Sequence, residues 1–188
     1  MEIDPMFLER WSRRSISDAP LSRDIVRALF EAARWAPSAS NSQPWLFVYA
    51  NDPETLANVR ELIRPSNQRW ALRAPLLVFV FARKFDPETR QPLRTGAFDT
   101  GAAWFSLALQ GAKLGLVTHA MGGIHHEKTF DVLGVPESEF ESMAAIAIGY
   151  PAAKDVLPED LANRETPSQR KPQHEFAFHG RYVPPAAR

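Results

Sequence analysis

The chain has no cysteine among its 188 residues. Without thiols it can form no disulfide framework and offers no thiolate nucleophile, and it holds neither an iron–sulfur cluster nor zinc through cysteine ligands. Any redox chemistry would therefore have to come from a cofactor that is bound without a covalent link.

Net charge and long apolar runs are missing as well, since 22 Lys and Arg residues balance 22 Asp and Glu residues. A net charge of zero argues against a broad basic field for nucleic acid or anionic membranes. No apolar run approaches the roughly 20 residues of a membrane span, and the first residues, MEIDPMFLERW, are too acidic and mixed for a signal peptide. We therefore expect a cytoplasmic protein that binds neither nucleic acid nor membrane.

The common nucleotide and hydrolase motifs are also absent, because the sequence contains no GxGxxG, GxxxxGKS/T, HExxH or GxSxG. His125 and His126 are adjacent at the start of a predicted helix, where their side chains point in different directions and would not share one ion. We expect no metal site, and we expect His119, at the end of a predicted strand, to pack or to line a pocket. The alternative is a hydrolase or metal site built from these three histidines.

Hydrophobic periodicity predicts alternating helices and strands. Helices are expected over residues 4–11, from Ser22 to Pro37, and over 52–63, 99–114 and 126–133; strands are expected over 46–49, 76–82, 116–120 and 143–148. This order indicates an α+β fold, an α/β sandwich in which helices flank a central mixed sheet of about four to five strands.

Glycine is scarce in this chain and proline is frequent, with nine glycines against 16 prolines. Residues 151–188 hold six prolines and no sustained periodicity, yet they carry Phe176, Phe178 and Tyr182. A structureless tail of this length is either disordered or packed on something, and the aromatic side chains favour packing. We therefore divide the chain into a domain at 1–150 and an extended C-terminal arm at 151–188 of the same domain.

Three polar clusters offer chemistry. Arg13, Arg14 and Ser15 suit a phosphate through charge-assisted hydrogen bonds, although a solvated loop is the alternative. The proline-stiffened loop at 37–45 presents hydroxyls and amides that could bind a polar ligand or simply form a stable turn. Met121, Gly122 and Gly123 let a ligand approach bare backbone N–H groups, or else form a tight turn.

Taken together, five segments resemble the FMN-dependent nitroreductase family in order and spacing: RRS, ARWAPSASNSQPW, DTGAAWFSLALQGAKLGL, AMGGIHHEK and AIAIGYP. The resemblance extends from about Met6 to Tyr182. It is closest to the short form of the family, because residues 83–98 are too few for an inserted helical lid. It implies the family fold and a homodimer with flavin sites at the interface. The C-terminal arm of each chain would pack on the partner subunit.

The resemblance also implies a set of residues that bind FMN. The RRS segment and the basic residues of PSQRKPQ would hold the phosphate, the loop at 37–41 would reach the flavin of the other subunit, and the double glycine would donate N–H groups to the ring. The residues implied are Arg13, Arg14, Ser15, Ser17, Pro37, Ser38, Ala39, Asn41, Asn67, Met121, Gly122, Gly123, Arg170 and Lys171. No side chain is expected to act as a catalytic acid or base.

One departure from the family pattern concerns the charge near the flavin pyrimidine. Family members often carry Arg or Lys at the position of Ser17, where a cation stabilises the reduced ring. Either Arg69 or Arg73 takes over this role, or the flavin potential differs from that of typical nitroreductases.

The activity that the resemblance implies is reduction of a nitroaromatic, quinone or similar conjugated acceptor. NADH or NADPH would supply the hydride in a ping-pong mechanism, with FMN as the carrier. The alternatives on the same fold are a flavin-dependent dehydrogenase or oxidase, a flavin-consuming enzyme, and a flavin-binding dimer without turnover.

Overall fold

A four-stranded sheet forms the centre of the computed structural model, which describes residues 2–184. The strands β1 (Trp45–Ala50), β2 (Leu76–Arg83), β3 (Val117–Met121) and β4 (Phe140–Gly149) lie in the order β1-β2-β4-β3. The predicted positions of all four strands are confirmed. Every pairing among them is antiparallel, so the expectation of a mixed sheet is wrong. Apolar runs locate strands along the chain but carry no information on their direction.

Seven helices surround this sheet in the described part of the chain. They are α1 (Pro5–Glu9), α2 (Arg23–Arg34), α3 (Pro53–Val59), α4 (Pro65–Ala71), α5 (Gly96–Lys113), α6 (His126–Leu133) and α7 (Glu159–Ala162). The Oγ atom of Ser22 caps α2 by accepting from the N–H of Ile25, as the sequence predicts. No helix within residues 2–184 is both long enough and apolar enough to cross a membrane.

Helix α4 is the element that the sequence analysis missed. It is only seven residues long, too short for its periodicity to be distinguished from a loop. Its one local signal is Pro65 at the first helical position. The omission matters because α4 carries Asn67 and the buried Trp70.

Strand β2 is buried on both faces and separates two apolar cores. Leu77, Phe79 and Phe81 face one core, together with Trp70 of α4. Leu76, Val78 and Val80 face the other core, which is closed by α2 and α5. Because both faces of the strand are covered, its sequence is continuously apolar rather than alternating.

Helix α5 approaches β3 closely at Gly111. A Cβ atom at this position would lie 2.5 Å from Cγ2 of Thr118, well inside van der Waals contact, and 3.6 Å from Cδ2 of Leu29. At Gly101, in the same helix, a Cβ atom would meet no atom within 4 Å. The two glycines therefore have different reasons to be there, and only Gly111 is required by packing.

We predict that Gly111→Ala lowers the free energy of unfolding by about 1–3 kcal/mol, because the added methyl group overpacks the contact between α5 and β3. Gly101→Ala is the matched control, and it should keep or raise stability because alanine favours helix where space is open. Chemical denaturation of the two variants measures the difference. Equal stability of the two variants would contradict the packing role of Gly111.

Candidate functional site

The segment that follows α1 is fixed by a buried carboxylate from the other end of the chain. Oε1 of Glu165 accepts hydrogen bonds from the N–H of Arg14 (2.7 Å), the N–H of Ser15 (2.8 Å) and the hydroxyl of Ser15 (2.9 Å). The side chain of Glu165 is fully buried. Sequence reasoning missed this residue because a single glutamate in a proline-rich arm has no local pattern to mark it.

Ser15 and Arg13 are consequently engaged within the chain. Ser15 is fully buried, and its hydroxyl is already committed to Glu165. The guanidinium of Arg13 donates to Oγ of Ser15 (3.3 Å) and to the carbonyl of Ala152 (3.2 Å), while its Nε has no partner among the described residues. Arg13 also lines a cavity of about 190 Å³ together with Arg10 and Ala112.

A second, polar cavity of about 350 Å³ shares Trp11 with the first, and we call it the arginine pocket. Its lining consists of Trp11, Ser12, Arg14, His119, Arg164, Thr166, Pro167, Ser168 and Arg170. No carboxylate belongs to this lining, which presents three guanidiniums. Of these, Arg14 alone lies within 4 Å of a carboxylate of residues 2–184, that of Glu165 at 3.9 Å. Burial, and to a smaller extent the positive charge of Arg170, lower the pKa of Arg10, which lines the first cavity. The charge and donor groups of this lining suit an anion.

His119 lines this pocket, as the sequence analysis expects. Its Nδ1 lies 2.8 Å from the carbonyl oxygen of Arg13, and its ring packs on Trp70 with the centroids 4.3 Å apart. A carbonyl can only accept, so we assign the proton to Nδ1, which leaves Nε2 as an acceptor. Burial lowers the pKa of His119, so at neutral pH the ring is uncharged.

The turn after β3 carries two free amide groups. Neither Gly122 nor Gly123 donates its N–H to another residue of 2–184, and a Cβ atom at Gly122 would meet nothing within 4 Å. The side chain of Met121 lies in the core, so only its backbone is available to a ligand. The turn therefore presents adjacent N–H donors on an open surface.

Asn67 lies against this turn, so the structure brings together two features that the sequence assigned to one site. Its Nδ2 donates to the carbonyl of Gly123 (3.2 Å), and its Oδ1 accepts from Nε1 of Trp70 (3.3 Å). A Cβ atom at Gly123 would collide with Nδ2 of Asn67. Glycine at 123 is thus required for the contact between α4 and the turn.

The loop that contains Pro37, Ser38, Ala39 and Asn41 lies apart from the arginines. The N–H of Ala39 donates to Oδ2 of Asp99 in the first turn of α5 (3.1 Å). Ala112, which lines the Arg13 cavity, is at the last turn of the same helix. Thirteen residues of helix correspond to about 20 Å. Within one chain the loop and the arginines therefore occupy opposite ends of α5.

The remaining predicted residues have separate environments. The N–H of Ser17 donates to the carbonyl of Tyr150 (2.8 Å), and its Oγ accepts from the N–H of Ala19 (3.1 Å). Arg170 donates to the carbonyls of Ser168 and Gln169, and Lys171 beside it is exposed.

Arg69 and Arg73, the two residues considered as substitutes for a cation at position 17, are both paired with carboxylates. Arg69 binds Asp160 through two nitrogens at 2.9 and 2.5 Å, and Arg73 lies 3.5 Å from Asp18. Both guanidiniums are therefore already engaged at the surface.

The histidines at the start of α6 take part in ordinary contacts. The ring of His126 lies 3.1 Å from Oγ of Ser142 and 3.3 Å from the carbonyl oxygen of Gly122. Within residues 2–184 no group of three or more His, Asp or Glu side chains could hold a metal ion.

Comparison with known proteins identifies a family. The model of the nitroreductase family matches residues 8–69 and 63–150. A protein of Rhodopseudomonas palustris (strain TIE-1), provisionally named NADH dehydrogenase/NAD(P)H nitroreductase, is 27% identical over 177 residues, which cover 83% of this chain and 88% of that protein. FMN reductase [NAD(P)H] of Bacillus subtilis (strain 168) is 24% identical over 185 residues, which cover 87% of this chain and 73% of the reductase.

A solved structure is more similar still. A crystal structure described as an oxidoreductase containing FMN is 43% identical in sequence and superimposes with a TM-score of 0.92. The alignment covers 98% of this chain and 94% of the other.

We predict that Glu165→Ala lowers the free energy of unfolding by about 2–4 kcal/mol, because it leaves three donors of the Arg14–Ser15 segment without an acceptor, two of them buried. Glu159→Ala, an exposed carboxylate in the first turn of α7, is the control and should change stability by less than about 0.5 kcal/mol. Urea denaturation compares the two. If both variants were as stable as the parent protein, the anchoring role of Glu165 would be wrong.

Proposed function

The chain belongs to the nitroreductase family, and from this premise we propose that it is an FMN-dependent NAD(P)H oxidoreductase. The names of two similar proteins support this proposal, one an FMN reductase that uses NAD(P)H and the other an oxidoreductase containing FMN. The acceptor that we propose is a nitroaromatic, a quinone or a similar conjugated compound. We further propose that donor and acceptor occupy the site in turn, in a ping-pong order.

The observation that carries the proposal is the arginine pocket. Arg14, Arg164 and Arg170 line one cavity that has hydroxyl groups and no carboxylate in its lining. A phosphate monoester has the charge and the acceptor oxygens that such a cavity matches. Arg13 and Lys171 flank the same region, and the main chain of Ser15 holds it in shape through Glu165. We propose that Arg14, Arg164 and Arg170 bind the FMN phosphate, and that Arg13 and Lys171 add positive charge nearby.

The turn at 121–123 suits the ring end of the cofactor. When bound, FMN supplies a ring that accepts a hydride from a nicotinamide and passes the electrons to an acceptor. The free N–H groups of Gly122 and Gly123 would donate to ring heteroatoms and stabilise negative charge there. Asn67 orients this turn through its bond to Gly123, and the second hydrogen of its Nδ2 remains available to a ligand. In this proposal Met121 contributes backbone, and Ser17 lines the ring edge without adding a charge.

An exposed apolar surface on α1 and α5 supports a homodimer. Phe98 is 80% exposed, Leu8 is 68% exposed, and Phe7 stacks on Phe105 with ring centroids 6.3 Å apart. Contiguous apolar surface of this kind marks an association site. We propose that two copies meet here, so that Pro37, Ser38, Ala39 and Asn41 of each copy reach the cofactor of the other.

The C-terminal arm supports the same assembly. After Glu165 its hydrogen bonds within residues 2–184 are local, and Phe176, Tyr182 and Val183 are exposed. Up to Arg170 the arm packs on its own chain, through Leu157, Leu161 and the arginine pocket. We propose that the part of the arm after Arg170 packs on the partner subunit. Residues 185–188, which the sequence analysis includes in the arm, lie outside the described part of the chain. A cytoplasmic location stays a prediction of the sequence.

We predict that Arg170→Ala weakens FMN binding at least 10-fold, because loss of one charge-assisted hydrogen bond costs about 1.5–3 kcal/mol. Arg23→Ala, which removes an equal charge from the start of α2, is the control and should leave the affinity unchanged. Quenching of FMN fluorescence measures both dissociation constants, and denaturation of the flavin-free proteins should show equal stability.

The parent protein decides between the candidate activities. Anaerobic NADH or NADPH should bleach the visible flavin absorption, and a quinone should restore it. A parent protein that binds no FMN contradicts the whole proposal, whereas bound flavin that neither nucleotide bleaches indicates a flavin-binding dimer without turnover.

We predict a molar mass in solution of about twice 21.1 kDa, and we expect Phe98→Glu to give a monomer that has lost most of its FMN affinity. The reason is that a charge placed in an apolar interface must be desolvated without a partner. Val132→Glu, which alters an exposed apolar residue of α6, is the matched control and should remain dimeric. Light scattering after size-exclusion chromatography measures the mass. A flavin-loaded monomer would contradict the shared site.

A further inference from the structure

The loop at 37–43 is held in a backbone conformation that its residues do not favour. Ser40, Asn41 and Gln43 have φ values of 51°, 55° and 45°, which lie in the left-handed region. Residues other than glycine pay a steric cost there, although asparagine tolerates it best. Three such residues among four positions persist only where the surroundings hold them.

Four hydrogen bonds within the loop maintain its shape: two are backbone bonds, from Asn41 to Ser38 and from Ser42 to Ala39, and two involve side chains. Oγ of Ser38 accepts from the N–H of Gln43 (3.0 Å), and Nε2 of Gln43 donates to the carbonyl of Asn41 (3.2 Å). Ala39, Ser40 and Asn41 are nevertheless exposed. These local bonds curl the loop but do not attach it to the rest of the molecule.

Asp99 supplies the attachment. Its Oδ2 accepts the N–H of Ala39 (3.1 Å) and the hydroxyl of Thr95 (2.9 Å), and the residue is only 4% exposed. A buried carboxylate is costly unless donors satisfy it, so the loop and the carboxylate stabilise each other. Thr95 precedes α5 without capping it through its side chain. Its hydroxyl instead donates to the same carboxylate oxygen as the N–H of Ala39.

We propose that Asp99 is a positioning residue, which holds the loop at 37–43 in the conformation that binds the flavin of the partner subunit. The proposal rests on the proposed function, because the loop has a task only if a cofactor is bound. Asp99 touches neither the cofactor nor the substrate in this account. It acts through Ala39, whose N–H fixes where Ser38 and Asn41 are presented.

The plainest alternative is that Asp99 only stabilises the first turn of α5, where a carboxylate interacts favourably with the helix dipole. Thr95→Val separates the two roles, because it removes the other donor to the same oxygen while leaving Ala39 and Asp99 in place. If the role were confined to the helix, neither Thr95→Val nor Asp99→Ala would release the loop. If Asp99 positions the loop, only Asp99→Ala should release it.

The first measurement is amide hydrogen exchange of the flavin-free protein, which needs no assumption about the cofactor. Asp99→Ala should speed exchange across residues 38–43 at least 10-fold, whereas Thr95→Val should change it less than threefold. Asp131→Ala, an exposed carboxylate of α6, is the control for loss of one charge. If exchange in the loop is unchanged in Asp99→Ala, the proposal is overturned.

The second measurement is FMN affinity by fluorescence titration, with the circular dichroism of the bound flavin as a signature of its surroundings. Asp99→Ala should raise the dissociation constant at least 10-fold, which corresponds to one unpaired donor. Asp99→Asn keeps an acceptor oxygen, so its dissociation constant for FMN should rise only roughly threefold. If Asp99→Ala fails to fold, Asp99→Asn takes its place in the comparison. An unchanged dissociation constant and flavin spectrum in a folded variant would overturn the proposal.

A second substitution tests whether backbone strain is the reason that the loop must be held. Ser40→Gly places glycine at φ 51°, which glycine adopts without steric cost. In the Asp99→Ala background it should recover at least threefold in FMN affinity. A purely helix-stabilising Asp99 predicts no recovery, and that result would count against the proposal.

Mixed dimers test the assignment of the loop to the partner's site. Differently tagged Asp99→Ala and Arg14→Ala chains are co-expressed, and the mixed dimer is purified through both tags. If the loop acts across the interface, one of its two sites keeps both Arg14 and an intact loop, so half of the flavin binds with the parent affinity. If the loop acts within its own chain, no intact site remains, and that result overturns the assignment.

These measurements keep two failures apart. A parent protein that binds no FMN refutes the proposed function, and the exchange experiment still decides whether Asp99 holds the loop. A parent protein that binds FMN, combined with an insensitive Asp99→Ala variant, refutes the role of Asp99 alone.

Discussion

One buried carboxylate oxygen organises the site. Oε1 of Glu165 satisfies three donors of the Arg14–Ser15 segment, and no other described acceptor serves them. The dependence is mutual, since a carboxylate without donors would be unstable at this depth. The same charge lies 3.9 Å from the guanidinium of Arg14, so it offsets part of the repulsion among the arginines. Without this carboxylate the Arg14–Ser15 segment would lose its anchor, and the repulsion among the arginines of the pocket would be stronger.

A continuous series of contacts joins the two ends of the site. Gly123 is bonded to Asn67, Asn67 to Trp70, the Trp70 ring packs on His119, and His119 is bonded to the carbonyl of Arg13. The next residue along the chain is the one that Glu165 holds. The spacing between the open amides and the arginine pocket is therefore set by rigid contacts before any ligand arrives, which reduces the ordering cost of binding.

Sequence patterns predicted the features that depend on neighbouring residues in the chain. They failed for features that depend on a contact with a residue far away in the sequence. The strands follow from apolar runs, and the cap at Ser22 from one residue type. The direction of the strands was wrong because pairing is decided by distant connections. Asn67 and the double glycine lie together in the structure, but only the resemblance to a family suggested grouping them, and their role toward a flavin stays a prediction. The roles of Glu165 and Asp99 were not predicted, because each carboxylate binds a segment that lies 60 or more residues away in the sequence.

The loop at 37–43 has a consequence for how the protein works in a cell. In the proposed assembly a complete site exists only where two copies meet, since the arginine pocket belongs to one chain and the loop is supplied by its neighbour. Occupancy by cofactor then depends on the concentration of the protein as well as that of the cofactor, because association and loading reinforce each other. A cell that makes half as much of this chain would keep less than half of its working sites, so expression level itself becomes a control on activity.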